Sequence, residues 1–524
     1  MKKYNIIELK SYQEFLNYIS KLPKTTSKDL KKHFADEKVF WQHIAKYHKI
    51  VIVGDYDVDG VTATAIAQMI LEHLGHEVKV ILPNRFTDGY GMKPKHVDLA
   101  KEWGADLILT VDNGMKAYEA LDHAEELGIP VLVTDHHTAG DKMPNALLTI
   151  NPHYSENDIV VTNKEICGAA TMFYLARYQT TDFVLISRMM ELAALATVAD
   201  CMPIEAENRT MVNLLIDNCK KDTNYLFALD DLIKNRGINR GTFNLQNISF
   251  DLAPFLNAAG RLKTADLAFN FLSSQKAEER GELYLMINEL NEERKSLSLA
   301  LTRQALDLID PDNAFAIAYI PNVCEGVVGI VAAKLVEKTN KPAFVFTNAE
   351  SGIIKGSGRT SGENFNLLAN VDPVLKTIDG VVGYGGHAGA MGLSFKDIES
   401  LNEFRTKVSN IEVPESEVIE DVLKIDFETD DDLLLQTMLS QGIFDSEFPL
   451  FYKKMDVKFY GFLGNSGNHS YISGTMDGND KAYLSWFFKS DLDNSILGSQ
   501  AIAVEFSEKS DGSADYFVRD VLYE

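Results

Sequence analysis

Between Lys49 and Asp200, short continuous apolar runs alternate with stretches of helical spacing. Ile50–Val53, Val78–Leu82, Leu107–Val111 and Val131–Thr134 are rich in Val, Ile and Leu without polar alternation, as strands buried on both faces of a parallel sheet must be. Val61–Leu74 and Ala117–Leu127 carry helical spacing between them. Strand followed by helix, repeated, predicts an α/β sheet with helices on both faces, whose ligands bind beyond the carboxyl ends of the strands. Residues 216–310 read as mainly helical, and the Glu/Arg/Leu-rich run Ala277–Leu308 predicts one long connecting helix. The β/α pattern resumes at Phe315–Ile320, passes through a helix at Gly329–Lys338 and a strand at Ala343–Phe346, and continues to about Phe404. Beyond the acidic stretch Glu412–Glu420, alternating runs near Lys454–Phe462, Ala482–Phe488 and Ala501–Phe506 predict a small β-barrel. The expected order is an α/β domain over 1–215, a helical connector over 216–310, a smaller α/β domain over 311–410 and a barrel over 411–524.

The 524 residues are 45% hydrophobic and 24% charged. That ordinary globular composition excludes disorder, collagen and coiled coil as the main architecture. No run is long and apolar enough for a membrane span, and the start Met1-Lys2-Lys3-Tyr4-Asn5-Ile6-Ile7-Glu8 meets charge too early for a secretory signal. A cytoplasmic protein with no membrane partner is expected. Cys167, Cys201, Cys219 and Cys324 form no C-x-x-C pair and are expected to act as small buried hydrophobes. A net charge of −25 argues against a polyanionic partner, because phosphate binding draws on Lys and Arg. Its distribution weakens that objection: residues 411–524 hold 23 acidic and 8 basic residues, net −15, which leaves −10 for the first 410. Metal ions, main-chain amides and a few focused arginines can hold a polyanion whatever the global sign.

Candidate chemistry lies at the predicted strand ends. Gly54-Asp55-Tyr56-Asp57-Val58-Asp59-Gly60 follows one strand and opens a helix. It is no EF-hand loop, since the twelfth residue from Asp55 is Ile66 rather than Glu and a strand leads into it. A solvated acidic turn remains the alternative for this segment alone. The next strand ends in Asp112-Asn113-Gly114, the one after it in Asp135-His136-His137, and Asp200 follows the apolar helix Leu192–Ala199. Four segments thus deliver carboxylate or imidazole to one edge of one sheet. Oxygen and imidazole donors without thiolate suit Mn²⁺ or Mg²⁺. Two such ions about 3.5–4 Å apart serve in-line phosphoryl displacement. They also relieve the repulsion among packed carboxylates.

Asp57-x-Asp59, Asp112, Asp135-His136-His137 and Asp200 resemble the four motifs of the DHH phosphoesterase superfamily. Asn84-Arg85-Phe86-Thr87-Asp88-Gly89-Tyr90-Gly91, Ala196-Thr197-Val198-Ala199-Asp200, Leu256-Asn257-Ala258-Ala259-Gly260-Arg261-Leu262 and Gly385-Gly386-His387-Ala388-Gly389 resemble its RecJ branch, from about residue 45 onward. These are single-strand-specific 5′ to 3′ DNA exonucleases of DNA repair and recombination. The resemblance implies a parallel-sheet DHH domain, a long helical connector, a smaller DHH-associated domain and an OB-like barrel. It implies two ions, Mn²⁺ or Mg²⁺, held by Asp57, Asp59, Asp112, His136 and Asp200, with Asp112 bridging. His137 is implied at the scissile phosphate, Asp55 behind the ligands or as an auxiliary one, and Asp135 in the same catalytic group. Arg261, Ser357 and Arg359 are implied to hold the 5′-terminal phosphate, and Gly386 and His387 to belong to a substrate loop. The small-residue run Glu325–Ala333 reads as mainly structural, through tight packing. In the barrel, Tyr460, Phe462, Tyr471, Trp486 and Phe487 are expected in the core before serving as stacking platforms. Single-stranded DNA is the implied partner, a single-strand-binding protein and a helicase are candidate protein partners, and a monomer is expected. A DHH hydrolase of short oligonucleotides or cyclic dinucleotides would need neither connector nor barrel. A silent replication scaffold would have lost ligand positions that are all present here.

Overall fold

The computed structural model describes residues 3–22, 34, 36–140, 142–154, 164–349, 352–360, 365–414, 419–440, 443, 448–463, 469–477, 480–486, 489, 492–509 and 513–522. Strand β1 (Lys3–Leu9) opens the chain but does not join the domain that follows. It pairs in parallel with a distant segment, Lys3 opposite Ile419 and Leu9 opposite Ile425. The helix Tyr12–Ile19, N-capped by the Ser11 side chain, sends Phe15 and Ile19 into the same C-terminal core. Residues 3–22 therefore pack with the barrel and not with the first α/β domain, to which the sequence reading assigns them. Tyr4-Asn5-Ile6-Ile7 lacks the continuous apolar character of a strand buried on both faces and suits a sheet edge.

The first domain is a five-stranded parallel sheet. It comprises β2 (Lys49–Val53), β3 (Glu77–Ile81), β4 (Leu107–Val111), β5 (Val131–Thr134) and β6 (Leu148–Ile150), in the order β3-β2-β4-β5-β6. Alternation along β2 divides two cores. Ile50 and Ile52 face the helices Val58–His73, Gly168–Ala176 and Phe183–Ala199, whereas Val51 and Val53 face Pro94–Trp103 and Tyr118–Glu126. Helices then lead to Ala253–Leu262 and to the 32-residue connector Ala277–Leu308, about 48 Å long at 1.5 Å per residue.

The second α/β domain holds β7 (Ala316–Tyr319), β8 (Ala343–Asn348), β9 (Ile354–Arg359), β10 (Val381–Gly386) and β11 (Ala390–Phe395), in the order β10-β11-β9-β8-β7. Only β7 and β8 are parallel in this sheet. Its helix Glu325–Thr339 starts four residues before the expected Gly329. Strand β12 (Ile419–Ile425) then links β1 to β13 (Leu450–Leu463). Strands β14 (His469–Met476), β15 (Asp480–Trp486), β16 (Gly498–Glu508) and β17 (Ala514–Leu522) follow. Because β13 pairs with both β14 and β16, the last five strands close into a barrel, and the expected fold class holds.

Phe15 is fully buried in the barrel core. Phe15→Ala should destabilise the C-terminal unit by about 3–5 kcal/mol. In denaturant, the barrel's tryptophan signal should unfold earlier while the sheet of the first domain keeps its transition.

Candidate metal centre and adjoining cleft

β2, β4 and β5 are neighbours in the sheet and run in parallel, so the three segments that follow them emerge side by side. After β2, Asp57 caps the helix Val58–His73, its carboxylate accepting from Gly60 N–H at 3.1 Å, while the Asn257 side-chain oxygen accepts from Val58 N–H at 3.1 Å. After β4, Asp112 turns the chain with φ +58°, a left-handed conformation uncommon for a side chain other than glycine. Asp200 is the C-cap of the helix Phe183–Ala199.

The ligand atoms converge as three overlapping groups, each within 4.8 Å: Asp55, Asp57 and Asp112; Asp59, His136 and Asp200; and Asp112, His136 and His137. Asp112 is common to the first and third. His136 Nε2 lies 3.2 Å from Asp112 Oδ1 and 3.6 Å from both Asp59 and Asp200 oxygens. Burial, then the neighbouring carboxylates, push Asp112 and Asp55 well above the usual carboxylate range and Asp200 up to about 8. Asp55 Oδ1 and Asp112 Oδ1 are buried without a hydrogen-bond donor. Orphaned oxygens and mutually destabilised carboxylates, with one imidazole nitrogen aimed at three of them, are a donor set that fits hard divalent cations.

Two acids are handled differently. Asp59 accepts from the Gly168 and Ala169 amides at 2.7 and 2.8 Å, at the N-terminus of the helix Gly168–Ala176. Asp135 spends one oxygen on the His136 and His137 amides and on His137 Nδ1 at 2.8 Å, and the other on Met115 N–H. It stands outside the three groups and orients His137. Burial opposes charge on His137, yet the Asp135 bond pushes its imidazole up to about 9. Gly168 gave no signal in the sequence beyond small size, but a Cβ there would lie 2.5 Å from Asp112 Oδ1.

A cleft of about 570 Å³ runs from His137 to the second domain. All five expected substrate residues, Arg261, Ser357, Arg359, Gly386 and His387, line it. The His387 ring stacks at 6.1 Å on His137. Gly386 takes φ +154°, and a Cβ there would meet the Ala390 carbonyl at 2.3 Å. The Arg359 guanidinium donates to Ser357 Oγ at 2.7 Å, and that of Arg261 to the Gly326 carbonyl at 3.3 Å. Burial, followed by the Arg85 and Arg359 charges, pushes Arg261 down to about 9. Arg85, which the sequence reading leaves without a role, stacks on the Tyr56 ring at 4.0 Å and lines the same wall.

The run Glu325–Ala333 packs closely, as expected, and Glu325, Gly326, Val328 and Gly329 also line the cleft. Two expectations are corrected. Cys201 is exposed, with φ +55° immediately after Asp200, whereas Cys167 and Cys219 are buried. In the barrel, Trp486 is core and Tyr460 packs against it, but Phe462 is 52% exposed, and Tyr471 stacks at 4.7 Å on the outward Tyr483. Phe487 lies outside the described residues.

Residues 49–197 match the DHH family, N-terminal domain, and residues 312–412 match the DHHA1 domain. The chain is 35% identical to the single-stranded-DNA-specific exonuclease RecJ of Bacillus subtilis over 71% of its length and 46% of that protein. It is 32% identical to that of Dickeya dadantii, over 71% of this chain and 68% of the other. It thus spans between about half and two thirds of the length of these relatives. A crystal structure of exonuclease RecJ bound to manganese superimposes with a TM-score of 0.61 at 27% identity, covering 75% of this chain and 98% of that one. With the four motif segments gathered at one sheet edge and both domain types matched in order, the chain belongs to the RecJ family of DHH proteins.

Proposed function

We propose that the protein hydrolyses single-stranded DNA from the 5′ end with two divalent cations, Mn²⁺ or Mg²⁺. The observation that carries this reading is Asp112, shared between two ligand groups, one of which reaches a guanidinium-lined cleft through His137. Asp57, Asp59, Asp112, His136 and Asp200 would hold the cations, and Asp55, with its orphaned oxygen, joins them on the Asp57 side. When bound, such a pair lowers the pKa of a water and neutralises charge on the attacking and leaving oxygens. Manganese is bound in the RecJ exonuclease structure that superimposes at 27% identity. The named activity of the relatives is single-strand-specific.

The chain's own groups do the rest. His137, oriented by Asp135, would offer an N–H to a non-bridging phosphate oxygen. Across the cleft, Arg261, Ser357 and Arg359 present donors without a carboxylate among them, as a terminal phosphate requires. The N-terminal amides of the helix Gly168–Ala176 keep Asp59 aligned. The barrel carries outward rings, Phe459, Phe462 and Tyr483, of the kind on which unpaired bases stack.

Asp112→Ala should abolish digestion of a 3′-labelled strand while circular dichroism stays unchanged; parent-like turnover of the variant would refute the shared-ligand role. Gly168→Ala should weaken Mn²⁺ binding, read by calorimetry, by about tenfold or more, because the added methyl displaces Asp112. Arg359→Ala should raise KM for a 5′-phosphorylated strand about tenfold with kcat nearly kept. An equal loss on 5′-hydroxyl strands would place that arginine elsewhere.

A further inference from the structure

One wall of the cleft is the loop between β3 and the helix Pro94–Trp103. Its two inward side chains are Arg85 and Tyr90. At one end the loop is fastened to the guanidinium side of the cleft: Asn84 Nδ2 donates to the Lys263 carbonyl at 3.3 Å, two residues beyond Arg261. At the other it is fastened to the metal side: the Tyr90 hydroxyl donates to the Asp112 carbonyl at 3.3 Å, and Met92 N–H to Asn113 Oδ1 at 3.2 Å. The loop therefore spans the two halves of the site.

Its shape is held from behind by Asp88, whose side chain is 6% exposed and does not line the cleft. Oδ2 accepts from Asn84 N–H at 2.9 Å and from His96 Nε2 at 3.1 Å, and Oδ1 takes the Lys95 ammonium and the Thr87 hydroxyl. His96 Nδ1 accepts the Lys93 amide at 3.0 Å, which fixes the Nε2 proton on Asp88. The Asp88 backbone N–H closes the turn onto the Asn84 carbonyl at 2.9 Å. Burial opposes charge on this carboxyl, but the Lys95, Thr87, Asn84 and His96 donors outweigh it and hold the group below the ordinary range. Four donors on one buried carboxylate are more than a solvated turn needs.

We propose that Asp88 is a positioning residue: by clamping residues 84–91 it sets Arg85 at a fixed distance between the cations and the Arg261/Arg359 pair, where Arg85 grips the backbone of the first nucleotide. This rests on the nuclease reading above. If Asp88 were only a fold staple, its loss would lower stability and turnover, and it would add to the loss of Arg85. If it acts through Arg85, the two losses coincide.

The test compares parent, Asp88→Ala, Arg85→Ala and the double variant as full-length proteins. Binding of a fluorescent 5′-phosphorylated strand in chelator and steady-state hydrolysis with Mn²⁺ are read alongside thermal unfolding. Each single variant should raise Kd and KM about tenfold with kcat within about threefold, and the double should be no weaker than Arg85→Ala alone. Should Asp88→Ala fail to fold, Asp88→Asn keeps the acceptor for Asn84 and should give the same coincidence at a smaller, roughly threefold shift. Additive losses, or an unchanged Kd in folded Asp88→Ala, overturn the inference while parent digestion leaves the nuclease reading standing. A parent that neither binds nor cuts single strands overturns both.

Discussion

Mutual repulsion among carboxylates at one sheet edge is the constraint on which the rest of the site depends. Two like charges about 4 Å apart cost about 4 kcal/mol at an effective dielectric near 20, and Asp55, Asp57, Asp59, Asp112 and Asp200 share one partly buried space. The protein compensates some of them itself and leaves others bare. Asp59 has two amides, Asp57 one, and Asp135 four donors, whereas one oxygen each of Asp55 and Asp112 has none. That division separates acids whose position is fixed by protein donors, the candidate ligands Asp57 and Asp59 among them, from acids with a buried oxygen that no protein donor meets. It also explains why Asp135, inside the most recognisable triplet, serves the neighbouring imidazole.

Holding such a cluster requires helices that approach closely. Gly168-Ala169-Ala170-Thr171 opens one helix, Gly60 and Thr62–Ala65 lie in the first two turns of Val58–His73, and Ala193, Ala194, Ala196 and Thr197 lie toward the Asp200 end of Phe183–Ala199; all of these positions are buried. Small side chains let Gly168 sit against Asp112, and the same device recurs where the domains meet. A Cβ at Gly260 would strike the Tyr56 carbonyl at 2.2 Å, and one at Gly326 the Arg261 carbonyl at 1.9 Å. Close-packed interiors transmit position, so the second domain's cradle is registered against the metal edge through backbone contact instead of through long flexible side chains.

What the sequence discloses and what it hides follow from range. Leu107–Val111 and Val131–Thr134 appear in the structure with the predicted limits because a strand buried on both faces must be continuously apolar and must stop where Asp begins. The connector Ala277–Leu308 is equally plain, since it holds no proline and a single glycine, Gly281, near its start. The pairing of β1 with β12 has no local signature: Asn5 and Asp421 are 416 residues apart. Strands β14 and β17 are interrupted by Ser, Gly and Asp, which blurs their alternation. The amides that hold Asp59 belong to Gly168 and Ala169, and main-chain donors leave no residue-type trace. Arg85 stands in a recognisable segment, but its part depends on Asp88 and on where Lys263 lies in space.

The overall charge proves a poor guide to the cleft for a related reason. Screening confines a surface charge to about 8 Å at physiological ionic strength, so a strand end senses the groups lining its own pocket before the acidic barrel. There, Arg85, Arg261, Arg359, Lys116 and Lys355 gather, with Lys355 at 3.0 Å from Glu325. On the nuclease reading, grip on the substrate is concentrated at its 5′ end and in the cations, which neutralise the carboxylates that would otherwise repel it. The barrel's acidity then denies a phosphate backbone any extended electrostatic track, and contact beyond the cleft falls to ring faces, which stack on unpaired bases and find none exposed along a duplex.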